Sequence, residues 1–163
     1  MRPAPSAKPL EKFRRYTESW KVPASQPDSG DFRVWSTDEA PPSHSVPPNV
    51  AVKAAAAQGR FDRYHLALMR AYFFENRNVT DRTTLLAVAD ECDLDRVRFE
   101  ADLADEQIER AVLRDHNEAF ELGITAVPTV LVDGDVALPG AQDLRFYRHV
   151  IERRLAQVGG TRG

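Results

Sequence analysis

The sequence is poor in cysteine, since Cys92 is the single cysteine among 163 residues. One cysteine excludes an internal disulfide, a Cys-x-x-Cys redox centre and a metal site built from several cysteines within this chain. Long apolar runs are also missing, because none approaches the roughly 20 residues that cross a bilayer. The amino end lacks the basic-then-apolar order of a signal peptide. We therefore expect a cytoplasmic protein that contacts no membrane.

Neither sign of charge is in strong excess, because 22 Lys and Arg stand against 25 Asp and Glu and give a formal net charge of −3. Such mild acidity argues against a general nucleic-acid binder. The histidines show no HExxH motif and no i, i+4 pair, so we predict no metal site. No G-x-S-x-G elbow or phosphate-binding glycine loop is present either, and we predict no cofactor and no serine nucleophile near Ser43 or Ser45. We expect His65 to be a hydrogen-bonded core residue.

Nine of the eleven prolines fall in the first 48 residues. Proline interrupts long helices and central strands, so this part is predicted to be mostly loop. Two short ordered pieces are expected there. Leu10, Phe13 and Thr17 share a face of a helix over residues 10–20, and alternation over residues 31–36 predicts a short strand.

Residues 49–122 contain no proline and are rich in Ala, Leu, Glu and Arg, which is typical of packed helices. Two helices are predicted over residues 49–58 and 61–75. A third is capped by Thr80 or Asp81, and a fourth, which carries Val97 and Leu103, is capped by Asp93 or Asp95. The last is predicted over 105–122. Gly59 and Gly123 suit the left-handed position that follows a helix.

The pattern becomes extended after Gly123. Two short apolar runs over 129–132 and 135–138 flank Asp133-Gly134, which is the strongest local signal for a β-hairpin. A closing helix over 142–157 is predicted to bury a face. That face comprises Leu144, Tyr147, Ile151 and Leu155. Residues 159–163 are predicted to form a frayed tail.

Two motifs in this closing region carry a family resemblance: the run from Gly123 to Thr129, with sequence Gly-Ile-Thr-Ala-Val-Pro-Thr, and Gly140-Ala141-Gln142 before the last helix. Together they resemble the second half of the thioredoxin fold as found in the DsbA family. Residues 16–20 and 42–45 are similar to the FrnE-like subgroup of that family. The resemblance covers residues 10–156.

The resemblance implies an α+β/α/β fold class: an incomplete thioredoxin-like fold, with a carboxyl-terminal β-hairpin, a helix and a cis-proline turn, and with an inserted helical domain. The domains implied are 1–47, a proline-rich segment with part of the thioredoxin-like region; 48–122, the inserted all-helical lobe; 123–158, the thioredoxin-like β-β-α part; and 159–163, the tail.

The same resemblance implies a cis peptide bond between Val127 and Pro128 and assigns these two residues to substrate binding. In thioredoxin-like proteins the residue before this proline offers its backbone to an extended substrate segment. The local sequence alone also allows Pro128 simply to begin an edge strand.

The chain departs from the family pattern at the catalytic cysteines. No segment here corresponds to the strand and the Cys-x-x-Cys helix that precede the insertion in the family. We interpret Cys92 as a partly buried apolar residue, because Asp90, Glu91 and Asp93 disfavour its thiolate. No catalytic residue is therefore assigned. We expect the DNA upstream of Met1 to encode the missing segment.

Three functions follow from these observations. The first is a DsbA/FrnE-like thiol–disulfide oxidoreductase family protein that is redox-inactive as given, with protein or small-thiol partners such as glutathione. The second is a kappa-type glutathione transferase or 2-hydroxychromene-2-carboxylate isomerase. The third is a non-enzymatic protein-interaction module, because an open sheet edge predicts self-association into a homo-oligomer.

Overall fold

The computed structural model describes residues 4–26 and 29–160, and of residues 159 and 160 it describes only the backbone. The described elements follow in the order α1 (Leu10–Thr17), a 3₁₀ turn (Glu18–Trp20), α2 (Lys21–Ala24), α3 (Val46–Ala57), α4 (Phe61–Phe73), α5 (Arg82–Glu91), α6 (Arg96–Leu103), α7 (Glu106–Glu121), β1 (Thr129–Val132), β2 (Val136–Pro139) and α8 (Leu144–Gly160). Two compact units result, residues 1–114 and residues 115–163. The predicted domain bounds at 47, 122 and 158 stay a prediction.

The first unit is built around a core shared by α3, α4, α5 and α6. Alanines at positions 51, 54 and 55 are fully buried, and such small side chains let the neighbouring helices approach closely. Phe99 of α6 packs against Tyr64 of α4, with ring centroids 5.2 Å apart. The Tyr64 hydroxyl donates a hydrogen bond to the Leu85 carbonyl at 3.1 Å, which satisfies the one polar group that this ring buries.

A second, aromatic cluster of the first unit joins α1 to the end of α4. Phe13, Trp20 and Trp35 are buried in it. The Phe13 and Trp35 rings meet edge to face at 5.1 Å, and Trp20 meets Phe73 at 4.9 Å. Phe13 and Thr17 are both buried, so the predicted apolar face of the first helix is confirmed.

The predicted strand over 31–36 is wrong, because these residues form an extended loop with no strand partner among the described residues. Their backbone groups bond instead to scattered neighbours. The Arg33 N–H donates to the Phe73 carbonyl at 2.8 Å, and the Trp35 N–H donates to Thr17 Oγ1 at 3.0 Å. The buried Asn76 side chain accepts from the Ser36 N–H at 2.9 Å and donates to the Arg33 carbonyl at 3.1 Å.

Several helix ends differ from the prediction for local reasons. Helix α3 begins at Val46 rather than Asn49, because Pro47 and Pro48 fit the first turn, where a missing N–H costs no hydrogen bond. Asp95 caps α6 by accepting from the Arg98 N–H at 3.0 Å. Gly59 and Gly123 have φ of 69° and 74°, as predicted for residues that follow a helix.

Three large apolar residues within the predicted helices are exposed. Val97 is 81% exposed, and Phe99 takes its place in the core of the first unit. Leu122 is 48% exposed and Phe61 is 48% exposed. Periodicity defines an apolar face, but the neighbours available to cover it decide which of its members are buried.

The second unit contains the predicted hairpin. Strands β1 and β2 pair antiparallel, with Val130 opposite Leu138 and Val132 opposite Val136. Asp133 and Gly134 have φ of 51° and 79°, which is the pair of positive values that a type I′ turn requires. The sheet that the described residues form has these two strands.

Helix α8 buries a face that shares Tyr147 with the predicted face but not Leu144, Ile151 or Leu155. Leu144, Ile151 and Leu155 are 64%, 47% and 66% exposed, whereas Tyr147, Val150 and Arg154 are partly buried. The helix runs through Gly160, two residues into the segment predicted as a frayed tail. Residues 161–163 lie outside the described residues.

Candidate functional site

The Val127–Pro128 turn leads directly into β1, and its peptide bond is cis. Two hydrogen bonds hold the turn from either side. The Gly140 N–H, at the end of β2, donates to the Pro128 carbonyl at 2.8 Å. The Thr129 hydroxyl donates to the Ala126 carbonyl at 2.7 Å. The turn is therefore stabilised by one hydrogen bond within itself and by another to the residue that follows β2.

The Gly-Ala-Gln segment continues this bracing. Gly140 has φ of 77°, a left-handed conformation that suits glycine, and it directs its N–H toward Pro128. The Gln142 side chain donates to the Pro139 carbonyl at 2.9 Å. The Gln142 N–H donates to the Tyr147 hydroxyl of α8 at 3.3 Å. The two motifs that carried the resemblance are thus parts of one hydrogen-bonded loop pair.

Val127 lies in this loop pair with 90% of its surface accessible. Within the part of the chain that the structure describes, neither its N–H nor its carbonyl has a hydrogen-bond partner. The residues on both sides are held by the contacts given above. A free donor and a free acceptor therefore stand on a fixed piece of backbone beside a strand, as pairing with an extended segment requires.

Arg154 fixes the far end of the hairpin. Its guanidinium donates from Nε to Asp133 Oδ2 at 2.8 Å and from Nη2 to both oxygens of Asp135 at 2.9 and 2.8 Å. The hydrogen bonds to Asp133 and Asp135 raise the pKa of Arg154 above its ordinary value. Sequence periodicity did not single out Arg154, because a cation was not expected on the partly buried side of this helix.

Cys92 is not placed for thiol chemistry. It follows the last residue of α5 and is 1% exposed, so it is more deeply buried than we predicted. Burial raises the pKa of the Cys92 thiol; Arg63 lowers it, and Glu91 and Asp93 raise it further. The thiol lies 3.7 Å from the Arg63 carbonyl, as a weak donor. A buried thiol that resists ionisation is a core residue rather than a nucleophile.

The remaining candidates are dispersed. His65 is partly buried and stacks on Phe61 at 5.5 Å, so it lies at the edge of the core rather than inside it. No cluster of three or more His, Cys, Asp or Glu side chains suited to a metal occurs among the described residues. One contact was not predicted from the sequence: Ser43 Oγ lies 2.8 Å from His44 Nδ1 in the loop before α3.

Comparison with known proteins agrees with this geometry. The family model of DSBA-like thioredoxin domains matches residues 10–152. This chain belongs to the DSBA-like thioredoxin domain family. The match includes the Val127–Pro128 turn, the hairpin and the helices of the first unit. The family model does not distinguish the FrnE-like subgroup, which stays a prediction.

Solved structures share the DSBA-like fold. A protein from Nitrosomonas europaea, described provisionally as a protein disulfide isomerase, superposes with a TM-score of 0.74 at 16% identity, over 94% of this chain and 78% of that one. The cytosolic disulfide reductase DsbM from Pseudomonas aeruginosa gives a TM-score of 0.66 at 22% identity, over 96% and 81%. At these identities the likeness establishes the fold.

A curated relative of this DSBA-like chain is the ClpXP adapter protein SpxH of Bacillus subtilis. The two are 27% identical over 143 residues, which is 82% of this chain and 48% of SpxH. The SpxH of Halalkalibacterium halodurans is 28% identical over 88% of this chain and 47% of its own length. The chain therefore spans about half the length of the curated relatives it matches. Each helix that the structure describes is too short or too polar to cross a bilayer.

Proposed function

We propose that this chain serves a thiol–disulfide oxidoreductase of the DsbA family by binding substrate, and that it has no dithiol activity of its own. Disulfide exchange needs an attacking thiolate and a resolving sulfur within reach. The sequence has one cysteine, and its thiol is buried with a raised pKa. The role that this chain supports by itself is therefore substrate binding.

The observation that carries the proposal is the backbone of Val127. Val127 is 90% exposed, its N–H and carbonyl have no partner among the described residues, and it stands two residues before β1 begins at Thr129. An extended segment can pair with them by β-type hydrogen bonds while its side chains contact Pro128 and the exposed Val127 side chain. Val127 and Pro128 are the residues that we assign to substrate binding.

The ligands proposed for this turn are extended segments that carry a thiol or a disulfide, either in a protein or in glutathione. The DsbM relative has been solved with GSH at a TM-score of 0.67 and 22% identity. That likeness supports testing glutathione first. DsbM is also named as cytosolic, which supports our proposal that this chain works in the cytoplasm.

Reduced and oxidised glutathione titrated into the ¹⁵N-labelled protein test the proposal. We expect saturable shifts of the amide resonances of residues 125–127, 129, 130 and 140. Val127→Pro removes the N–H donor and should weaken binding roughly two- to tenfold, the value of one hydrogen bond. The matched variant Val127→Ala keeps the backbone donor and should bind within about twofold of the parent chain.

Equal affinity of the Val127→Pro and Val127→Ala variants, with the Gly140 resonance showing the turn intact, would contradict the binding role of the backbone. The statement about dithiol activity has a separate test. Insulin reduction should be absent for the parent chain, and turnover that survives Cys92→Ser would show a redox group that we have not recognised.

The glutathione transferase or isomerase alternative requires catalysis as well as glutathione binding. Because a disulfide reductase of this fold has been solved with GSH, affinity alone does not separate the two classes. Conjugation or isomerisation turnover that depends on glutathione would favour the transferase or isomerase. Glutathione binding without such turnover favours the recognition role that we propose.

The interaction-module alternative rests on two observations. The curated relatives are named as ClpXP adapters. In addition, each strand of the described hairpin has an outer edge with no strand partner among the described residues, and Val130 and Leu131 are partly exposed. Gel filtration with light scattering tests self-association: a concentration-dependent dimer favours this alternative, and a monomer at every concentration counts against it.

A further inference from the structure

The first unit contains a cavity of about 320 Å³ that the turn at Val127 does not involve. It is lined by the 42–45 loop, the first half of α3, α4 from His65 onward, and Val79. Its volume lies at the lower end of the range for small-molecule sites, about 300–1,000 Å³. A ligand that fits it is therefore smaller than a dinucleotide or a folded peptide.

The lining combines an apolar surface with a few polar groups. Val52, Leu68, Met69 and Phe73 provide the apolar part. Met69 is 44% exposed, so the apolar surface is accessible from solvent. An unbranched thioether beside an aromatic ring adapts to the faces of flat apolar molecules. These contacts favour a ligand with a compact apolar body.

The polar groups of the lining include hydrogen-bond donors. His44, His65 and Asn49 line the cavity, and Asn49 uses one amide proton on the Ser45 carbonyl at 2.7 Å. The Ser43 hydroxyl, 2.8 Å from His44 Nδ1, can donate to that nitrogen. The proton of the neutral ring then lies on Nε2, which becomes a donor for a ligand.

The charge of the lining selects between ligand classes. Among the described residues that line the cavity there is no Asp, Glu, Lys or Arg. An ammonium group would lose its water there without gaining a carboxylate. A carboxylate would accept from the imidazole and amide donors, and such charge-assisted hydrogen bonds are the stronger kind.

We propose that this cavity binds a small organic anion, with its apolar body on Met69 and Phe73 and its acidic group on His44 and His65. A neighbouring cavity of about 370 Å³ shares His65, Met69 and Phe73 but includes Asp31 and Arg70. Arg70 is paired there with Asp31 at 3.6 Å and with Glu75 at 3.1 Å. The guanidinium of the neighbouring cavity is already used by protein carboxylates, so the acidic group belongs in the first cavity.

Three probes with one apolar body test the class of ligand: 1-naphthylacetate, its neutral amide 1-naphthylacetamide, and 1-naphthylmethylammonium. Each is titrated into the full ¹⁵N-labelled chain, and calorimetry gives the affinity. We expect the acid to bind roughly tenfold more tightly than the ammonium, with the amide between them. The shifted amides should lie within residues 44–52 and 65–79.

Variants locate the site. His65→Leu keeps a side chain of similar size but removes the hydrogen-bond donor. The affinity for the acid should fall roughly three- to tenfold, while the affinity for the ammonium should not change. His44→Leu is the second variant and should act in the same direction. Leu66→Ala is the matched control, because Leu66 lines the neighbouring cavity but not this one, and the acid should bind it as it binds the parent chain.

The proposal is overturned if the ammonium binds as tightly as the acid. It is also overturned if Leu66→Ala weakens the acid as much as His65→Leu, if the shifts centre on residues 29–32, or if the acid shows no saturable binding. Since Val127 takes no part, these results are independent of the glutathione experiment.

Discussion

Residues 1–114 and residues 115–163 use different means to hold their structure. Among the described residues, the second unit contributes Leu138 to the buried apolar set, and the first unit contributes the rest. The second unit instead exposes Leu144, Leu155 and Val127. Packing stabilises the first unit, whereas a type I′ turn, a braced loop pair and the Arg154 contacts define the second.

The two proposed binding sites lie in different units. The candidate binding turn lies in the unit with few buried apolar contacts, and such regions open locally at a lower free energy than a packed core does. The cavity that we assign to an organic anion lies in the unit with the large core. The two proposed sites therefore differ in the amount of buried apolar surface around them as well as in chemistry.

The largest effect is expected from removing a core ring in the first unit. Phe99 is fully buried against Tyr64, so Phe99→Ala should lower the free energy of unfolding by about 3–5 kcal/mol. Leu144→Ala in α8 is the matched control and should change it by less than about 0.5 kcal/mol. Urea denaturation measures both. A similar cost at the two positions would break the contrast between the units.

A smaller loss of stability is expected from substituting Asn76. Its side chain forms hydrogen bonds with the backbone of the 33–36 loop, which has no partner strand among the described residues. Asn76→Ala removes the bonds to the Ser36 N–H and the Arg33 carbonyl and leaves buried groups unpaired, which should cost about 1–3 kcal/mol. Asn76 also has φ of 55°. Asn76→Gly is therefore the control, because it relieves the left-handed backbone but restores neither bond.

If Asn76→Gly were as stable as the parent chain, the backbone conformation and not the side-chain bonds would account for the loss in Asn76→Ala. The fluorescence of Trp35, which is buried within this loop, should show the same order of variants.

The smallest effect is expected from alkaline pH. Burial raises the pKa of Cys92 in the folded chain above its ordinary value of about 9. As the pH rises past 9, the unfolded thiol loses its proton first, so the stability that this group contributes is intact below pH 9 and is lost above it. The free energy of unfolding should therefore fall more steeply between pH 8 and 10 for the parent chain than for Cys92→Ala. Equal slopes would contradict the raised pKa.

The hairpin and several helix ends could be predicted from the sequence because their causes are local. Asp133-Gly134 adopts the two positive φ values that the dipeptide favours, and Gly59 and Gly123 follow helices as expected. The first helix was also predicted, since Phe13 and Thr17 share its buried face. In each case a few adjacent residues determine the conformation.

The loop at 31–36 and the inward faces of α6 and α8 could not be predicted this way. Alternation at 31–36 is compatible with a strand, but the bonds go to Thr17, Phe73 and Asn76, which are distant in sequence. On α6 the Phe99 ring is fully buried, whereas Val97, two residues earlier, is 81% exposed. Which apolar residue is covered depends on the neighbours that are present.

The candidate binding turn was found through resemblance, because Val-Pro-Thr and Gly-Ala-Gln are distinctive in sequence. The Ser43–His44 contact and the cavity beside it carry no comparable motif. They lie where a loop, α3 and α4 pack together, and no residue spacing in the sequence predicts that packing.

By itself, the sequence determined the helix-rich region, the turn at Asp133-Gly134, the single thiol and the family, because these depend on local conformation and on residue identity. Only the tertiary structure decided that Cys92 is sealed in the core, that Val127 presents unpaired backbone groups, and that two histidines line an uncharged cavity. Burial and hydrogen-bond pairing depend on residues far apart in the chain, and a one-dimensional pattern does not specify which of them meet.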